Sequence, residues 1–315
     1  MCRKQQNIQS TPLVSVIIPN YNHARYLEQR LDSVFGQTYP NLEVIILDDC
    51  STDNSLEVIN CYKDNPHLSQ IVANKTNSGS AFSQWDKGIS LAKGEIIWIA
   101  ESDDYCELNL LEELVKAYTK RSDTVLAYST LIGVDENSKP FGADAYGRNQ
   151  YMSGKQYIKR YLTIANFVKN MSCAIFSKKA ALKISPNYKT YKGAGDYLFW
   201  VEIAMQGNVA IVNKRLSYFR RHGTNVTEKR NADGTNYIEE KRILDYICSI
   251  MHISYLRMQG ILYMHASRIK NIEFENDTIK NQIYELWDIH DEYPFTQLVV
   301  KKIMSIMRKH FNIYI

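Results

Sequence analysis

The stretch GEIIWIAESDD, Gly94 to Asp104, decides how this chain reads. A glycine precedes the continuous apolar run Ile96–Ala100, and an acidic cluster follows it. A run this short and this uniformly apolar marks a strand buried on both faces. Two earlier segments repeat the pattern. Val14–Ile18 ends in Pro19-Asn20-Tyr21-Asn22, with Pro19 expected to stop the strand, and Leu42–Leu47 ends in Asp48-Asp49. Helical stripes lie between: Leu27, Leu31, Val34 and Phe35 behind a cap at Asn22; Leu56, Ile59 and Tyr62 behind Ser51 or Asp53; Ala81, Trp85, Ile89 and Ala92 closing at Gly94. Ile71–Ala73 reads as a third strand. Leu110 to Tyr118 forms another helical face, and Thr124–Ser129 another strand. Strands alternating with helices imply an α/β fold with a mostly parallel sheet covered on both faces. Ligands of such sheets bind beyond the carboxyl ends of the strands, and three of these ends present polar or acidic groups.

The middle is less regular. Residues 131–152 read as a long loop, Ser153–Leu162 as a helix and Cys173–Phe176 as a strand. A Tyr/Lys/Gly-rich loop runs into Asp196 and a helix carrying Phe199, Trp200, Ile203 and Ala204. Val209–Val212 and Leu216–Arg220 read as two strands, and from Asn236 the pattern is wholly helical. The expected division is a flexible N-terminus at 1–11, an α/β domain at 12–230 and a helical extension at 231–315.

Composition bounds the function. The chain has 315 residues, net charge +4, 45% hydrophobic and 23% charged residues, as globular proteins do. No apolar run spans a bilayer and no signal-peptide centre precedes Thr11, so a cytoplasmic protein is expected. No dense Lys/Arg run points to nucleic acid. The six cysteines show no C-x-x-C pair and read as free thiols.

Adjacent carboxylates such as Asp103-Asp104 repel at the end of a buried strand. A divalent cation of the Mg2+ or Mn2+ kind would neutralise them, but a solvated turn capping the next helix serves as well on this motif alone. Asp48-Asp49 carries the same ambiguity. The chain lacks a phosphate-binding glycine loop after its first strand, a G-x-S-x-G elbow and H-E-x-x-H.

Taken together and in order, these segments resemble family 2 glycosyltransferases of the GT-A fold. The resemblance rests on Val16-Ile17-Ile18-Pro19-Asn20-Tyr21-Asn22, Gln37-Thr38-Tyr39-Pro40-Asn41-Leu42-Glu43-Val44, Asp48-Asp49-Cys50-Ser51-Thr52-Asp53, Asn77-Ser78-Gly79 and Gly94 to Asp104. It is strong over residues 12–129 and looser to about 227, through Gly195-Asp196 and Tyr218 to His222. It implies inverting transfer from a nucleotide-diphosphate sugar, usually UDP-linked, to a glycan or lipid-linked saccharide. By the same resemblance Asp49 meets the base, and Pro19, Tyr21 and Asn22 line its pocket. Asn77 and Gly79 shape a loop over the nucleotide. Asp103 sits beside the ribose and diphosphate, Asp104 contacts the metal, and Arg221 and His222 reach the diphosphate. Asp196 matches the catalytic base, although the family often has Glu-Asp where this chain has Gly195-Asp196. Asp196 also reads as a helix cap, and Trp85 reads as core. A non-catalytic nucleotide-sugar-binding module and a sugar nucleotidyltransferase are the rivals. The stripe Val299, Val300, Ile303, Ile306 and Met307, with Lys301, Lys302, Arg308, Lys309 and His310 beside it, suits a membrane surface, or packing on the α/β domain or on a second subunit of a homo-oligomer.

Overall fold

The computed structural model describes residues 11–143, 147–223 and 226–290, together with Val299 and Lys302. Strands β1 (Val14–Asn20), β2 (Leu42–Asp48) and β3 (Leu68–Ala73) alternate with helices α1 (Ala24–Phe35), α2 (Ser55–Asn60) and α3 (Ala81–Leu91). Then come β4 (Ile96–Ile99), β5 (Tyr105–Cys106), α4 (Leu110–Tyr118) and the long β6 (Thr124–Val134). The middle contributes β7 (Pro140–Ala143), β8 (Gln150–Ser153), α5 (Gly154–Tyr157), β9 (Ala174–Ser177), α6 (Lys178–Ala181), α7 (Gly195–Ala204) and β10 (Asn208–Arg220). Helices α8 (Val226–Ala232), α9 (Thr235–Ile250), α10 (Tyr255–Ile269) and α11 (Asp277–Leu286) follow.

One sheet runs β3-β2-β1-β4-β9-β6-β10-β5, with β7 on β6 and β8 on β10. Its long ladders are parallel: β1 with β2 and β4, β2 with β3, and β6 with β10. Strand β9 lies antiparallel between β4 and β6. Alternation of side chains explains the continuous apolar runs. Val14, Val16 and Ile18 face Leu27 and Leu31 of α1, while Ile17 faces the other layer with Trp85 and Ile89 of α3. Both faces are covered, so each needs an apolar set. Helix α3 packs so closely that a Cβ on Gly88 would lie 2.3 Å from Ile17 Cγ2.

Several expectations are corrected. Pro19 does not end β1; the strand continues to Asn20, in register with Asp48. Residues 131–152 are not one loop: β6 extends to Val134 and turns back into β7. Asp135 Oδ1 accepts the amides of Asn137 and Lys139, and Ser138 takes φ 66°, which closes the turn. The two strands expected at 209–220 are one. The polar interruption Asn213-Lys214-Arg215 is absorbed by register shifts against β6, as bulges do. Asn22 does not cap α1; the first amide, Ala24 N, donates to Asp53 Oδ2 at 2.9 Å.

Helix α9 is shared between two cores. Ile243 and Ile247 join the large cluster over the sheet, whereas Tyr237 and Leu244 pack with Ile261, Ile269, Ile283 and Trp287. No described helix is long and apolar enough to cross a membrane. The stripe from Val299 to Met307 lies outside the described residues, except Val299 and Lys302, as does the N-terminus before Thr11. Among the described residues, Cys50, Cys61, Cys106, Cys173 and Cys248 form no disulfide.

Candidate active site

The carboxyl ends of β1 and β2 are tied together by side chains. Asp48 is buried and accepts Asn20 Nδ2 at 2.8 Å and Ser51 N at 2.9 Å, so it braces the edge from within. Asn22, at φ 56°, accepts Thr52 N at 2.7 Å. Asp49 turns the other way, toward the loop before α3. Its carboxylate takes Ser78 N at 2.9 Å, Ser78 Oγ at 2.7 Å and Gln84 Nε2 at 2.8 Å. Asn77 Nδ2 donates to the Asp49 carbonyl, and Asn77 Oδ1 accepts Gly79 N. Gly79 sits at φ 70°, where glycine carries no Cβ penalty. Asp49, Asn77 and Gly79 are therefore one unit. Pro19 is buried within β1, and Tyr21 beside it is 46% exposed.

The two neighbouring carboxylates after β4 face opposite ways. Asp104 points into the protein and is 1% exposed. It accepts Ser172 Oγ at 2.7 Å and Arg220 N at 2.9 Å, with Arg30 Nη2 3.7 Å away. Burial and the neighbouring Asp103 push its pKa up, against the pull of Arg30. Asp103 points outward to His222, whose Nε2 lies 3.0 Å from Oδ2. Burial opposes its ionisation, but the His222 hydrogen bond and the facing histidines outweigh it, so its pKa is held below the ordinary value. His23, Asp103 and His222 bring one ligand atom each within 4.8 Å of one another. His23 Nδ1 also meets Ser102 Oγ at 2.8 Å, and Tyr26 stacks on His222 at 5.5 Å. Asp104, expected at a metal, is thus enclosed by protein donors. The cluster with metal-ligating character is built on Asp103.

Two buried arginines hold this geometry, and both escaped sequence reasoning as structural elements. Arg30 donates Nε to the Glu101 carbonyl and Nη2 to Ser172 Oγ. Its one sequence signal is a charge set on the Leu27–Leu31–Val34 stripe. Arg220, buried between Tyr26 and Tyr105, donates to the Asp103 and Asp135 carbonyls and to Gln29.

At the end of β10 the chain forks. His222 turns to Asp103, while the exposed Arg221 lies 5.1 Å over the Phe141 ring. Arg221 and Phe141 line a cavity of ≈ 650 Å³ that also contains Asp196 and Asn166. Arg221, expected at the diphosphate, is therefore placed with Asp196. Asp196 lies in the first turn of α7, whose N-cap is Ala194, so it is not the cap residue. Asn166 Nδ2 donates to its Oδ2 at 2.8 Å. Burial raises the Asp196 pKa to about 7, countered in part by backbone amides and Asn166. Gly195 explains the missing glutamate: a Cβ there would lie 2.4 Å from the Tyr188 carbonyl oxygen. Just upstream, Glu239 of α9 accepts the amides of Lys192, Gly193 and Ala194 at 2.6, 2.8 and 2.8 Å. Nothing in the sequence marked Glu239, because its partners lie over forty residues away. Trp85 is core, as expected, and its Nε1 also donates to Glu101 at 3.1 Å.

Known proteins bear on this edge. The model of glycosyl transferase family 2 matches residues 15–185. A hyaluronan synthase of Pasteurella multocida is 30% identical over 285 residues, covering 90% of this chain and 27% of that protein, so the chain spans only about a quarter of its length. Glycosyltransferase GlyG of Streptococcus pneumoniae serotype 4 is 26% identical over 267 residues, covering 79% of this chain and 85% of GlyG. The crystal structure of S. aureus TarS 1-349 in complex with UDP-GlcNAc shares the fold with a TM-score of 0.68 at 19% identity, covering 94% of this chain and 85% of that one. The mixed, mostly parallel sheet is accordingly of GT-A type. With the family model matching more than half of its residues, the chain belongs to glycosyltransferase family 2.

Proposed function

We propose that this protein is an inverting glycosyltransferase. It moves a sugar from a UDP-linked donor to a hydroxyl of a glycan or lipid-linked saccharide, in the synthesis of a surface polysaccharide. The observation that carries the reading is the fork at the end of β10, which joins the His222–Asp103 pair to the cavity holding Asp196. A hyaluronan synthase among the relatives supports a glycan acceptor.

Asp103, His222 and His23 would hold a divalent cation. One carboxylate and two imidazoles suit Mn2+ better than the oxygen-seeking Mg2+. Such an ion, when bound, supplies positive charge to the diphosphate leaving group. The Asp49–Asn77–Gly79 unit and the exposed Tyr21 ring offer a hydrogen-bonded loop and a stacking face to the base. Pro19 and Asn22 fix the backbone beneath them. Asp104 keeps its interior partners and thereby aims Asp103. Asp196 takes the proton of the acceptor hydroxyl as that oxygen attacks the anomeric carbon. The new C–O bond forms while the bond to UDP breaks, and the diphosphate leaves with the electron pair.

A panel of nucleotide sugars with Mn2+, read by thermal shift, tests the donor. UDP-sugars are expected to raise Tm. Asp196→Asn should bind the same donor and transfer nothing, and proton NMR of the wild-type product should show the inverted anomer. Protection by no nucleotide sugar would favour the non-catalytic rival. Retained transfer in Asp196→Asn would remove the assigned base.

A further inference from the structure

We propose that a second site, which binds phosphate groups, lies at the opposite end of β10 from the catalytic edge. A cavity of ≈ 720 Å³ opens where β8, the turn at residues 158–162 and α10 meet. Arg148, Lys159, Arg160 and Arg257 line it, and no carboxylate is among its described lining residues. Bringing four cations to one cavity is costly, because like charges repel most where solvent is partly excluded.

Arg257 shows that cost. It is half-buried, and its Nη2 donates to the Lys159 carbonyl, which fixes the guanidinium. Its Nε is buried and has no hydrogen-bond partner among the described residues. Burial and the nearby Arg160 also hold its pKa below the ordinary value. Asp123 contacts Tyr151 Oη at 3.0 Å beside the cavity but is also bonded to Asn208 Nδ2. The fold thus spends a fixed guanidinium, with a donor to spare, among three further cations. Phosphate answers that arrangement: its oxygens accept the forked N–H groups of arginine, and its charge relieves the mutual repulsion.

The donor diphosphate does not fill this site. Strand β8 pairs with β10 at Asn208–Ile211, whereas the catalytic edge begins at Arg220. Nine residues of strand, from Ile211 to Arg220, separate them by roughly 30 Å. The site shares no residue with the catalytic edge, so it stands or falls separately. The phosphate could come from a soluble phosphorylated ligand or from a lipid headgroup.

The experiment uses the full chain with EDTA present, so that no metal-bound diphosphate contributes. Pyrophosphate is titrated by calorimetry at constant ionic strength in chloride. In parallel, cosedimentation is measured with phosphatidylcholine vesicles with and without phosphatidylglycerol. Saturable binding of pyrophosphate, weakened about tenfold in Arg148→Gln and Arg257→Gln, assigns a soluble phosphate. Sedimentation that requires phosphatidylglycerol and is lost in the same variants, without pyrophosphate binding, assigns a headgroup. Arg148 is exposed, so Arg148→Gln decides the matter if Arg257→Gln fails to fold. Binding of neither probe, or equal binding by wild type and Arg148→Gln, overturns the proposal.

Discussion

Asp103 and Asp104 are neighbours in opposite surroundings, and the difference is physical. Asp104 has exchanged water for Ser172, the Arg220 amide and the adjacent Arg30. Removing it would strand a buried guanidinium. Asp104→Ala is therefore expected to lose about 3 kcal/mol of stability in urea denaturation. Asp103→Asn leaves those contacts intact. It should lose less stability than Asp104→Ala, since only the His222 and His23 interactions weaken, while Mn2+-dependent donor binding falls about a hundredfold, measured by calorimetry. The reverse pattern would return the metal to Asp104. Asp196 gives a third test, with a sign fixed by chemistry. A general base must be ionised, and burial has raised its pKa to about 7. Single-turnover transfer should rise with pH, with an apparent pKa near that value, and reach a plateau above it. A rate flat from pH 6 to 8 would speak against this role. Asp196 follows a polar loop and was marked by the family resemblance, whereas Asp103 and Asp104 were legible in sequence because they follow the apolar run Ile96–Ala100. Their division of labour was not, since it depends on Arg30, Ser172 and Arg220, brought in from three separate segments.

At the scale of elements, β10 does most of the assembling. It pairs with β6, β5 and β8, and its end delivers Arg221 and His222 to two different places. The strands β1, β2 and β4 were readable because burial on both faces forces continuous apolar runs. Strand β10 was not readable as one unit, because its bulge exposes Lys214 and Arg215 and imitates a loop. Hairpin β6–β7 was hidden for a similar reason: an edge strand exposed along its length has no apolar pattern to show. Helix α7 depends on a distant helix for its entry. Three consecutive amides before it converge on one buried carboxylate, Glu239. Glu239→Gln keeps the shape but replaces an anion by an amide that can accept through only one atom. A loss of about 2 kcal/mol in stability is expected. Because Asp196 follows directly, kcat should fall by about tenfold with the donor Kd unchanged. If kcat holds while stability falls, Glu239 supports the fold without positioning the base.

For the whole molecule, the question is where the catalytic unit ends. Sequence resemblance fades near residue 227, and the helical pattern beyond suggests an appendage. Packing argues for a later boundary. Ile243 and Ile247 of α9 have no exposed surface and belong to the cluster over the sheet. Removing two such side chains costs about 2–5 kcal/mol each, against a total stability of about 5–15 kcal/mol for a domain. Loss of Glu239 would add to this. A chain ending at residue 230 is thus expected to unfold non-cooperatively or to precipitate. A chain ending at Ser254 keeps α9 whole. It should melt cooperatively and still bind the donor, since the His23–Asp103–His222 cluster and the Asp49 loop are untouched. It should nevertheless transfer poorly. Arg268 and Ile272, which wall the Asp196 cavity, would be gone, together with the His265 contact to the Thr163 carbonyl. Thermal melts of the two truncations, with donor titrations and single-turnover assays, separate these outcomes. If the chain ending at residue 230 melts cooperatively and binds the donor, the earlier boundary is restored and α9 is an accessory.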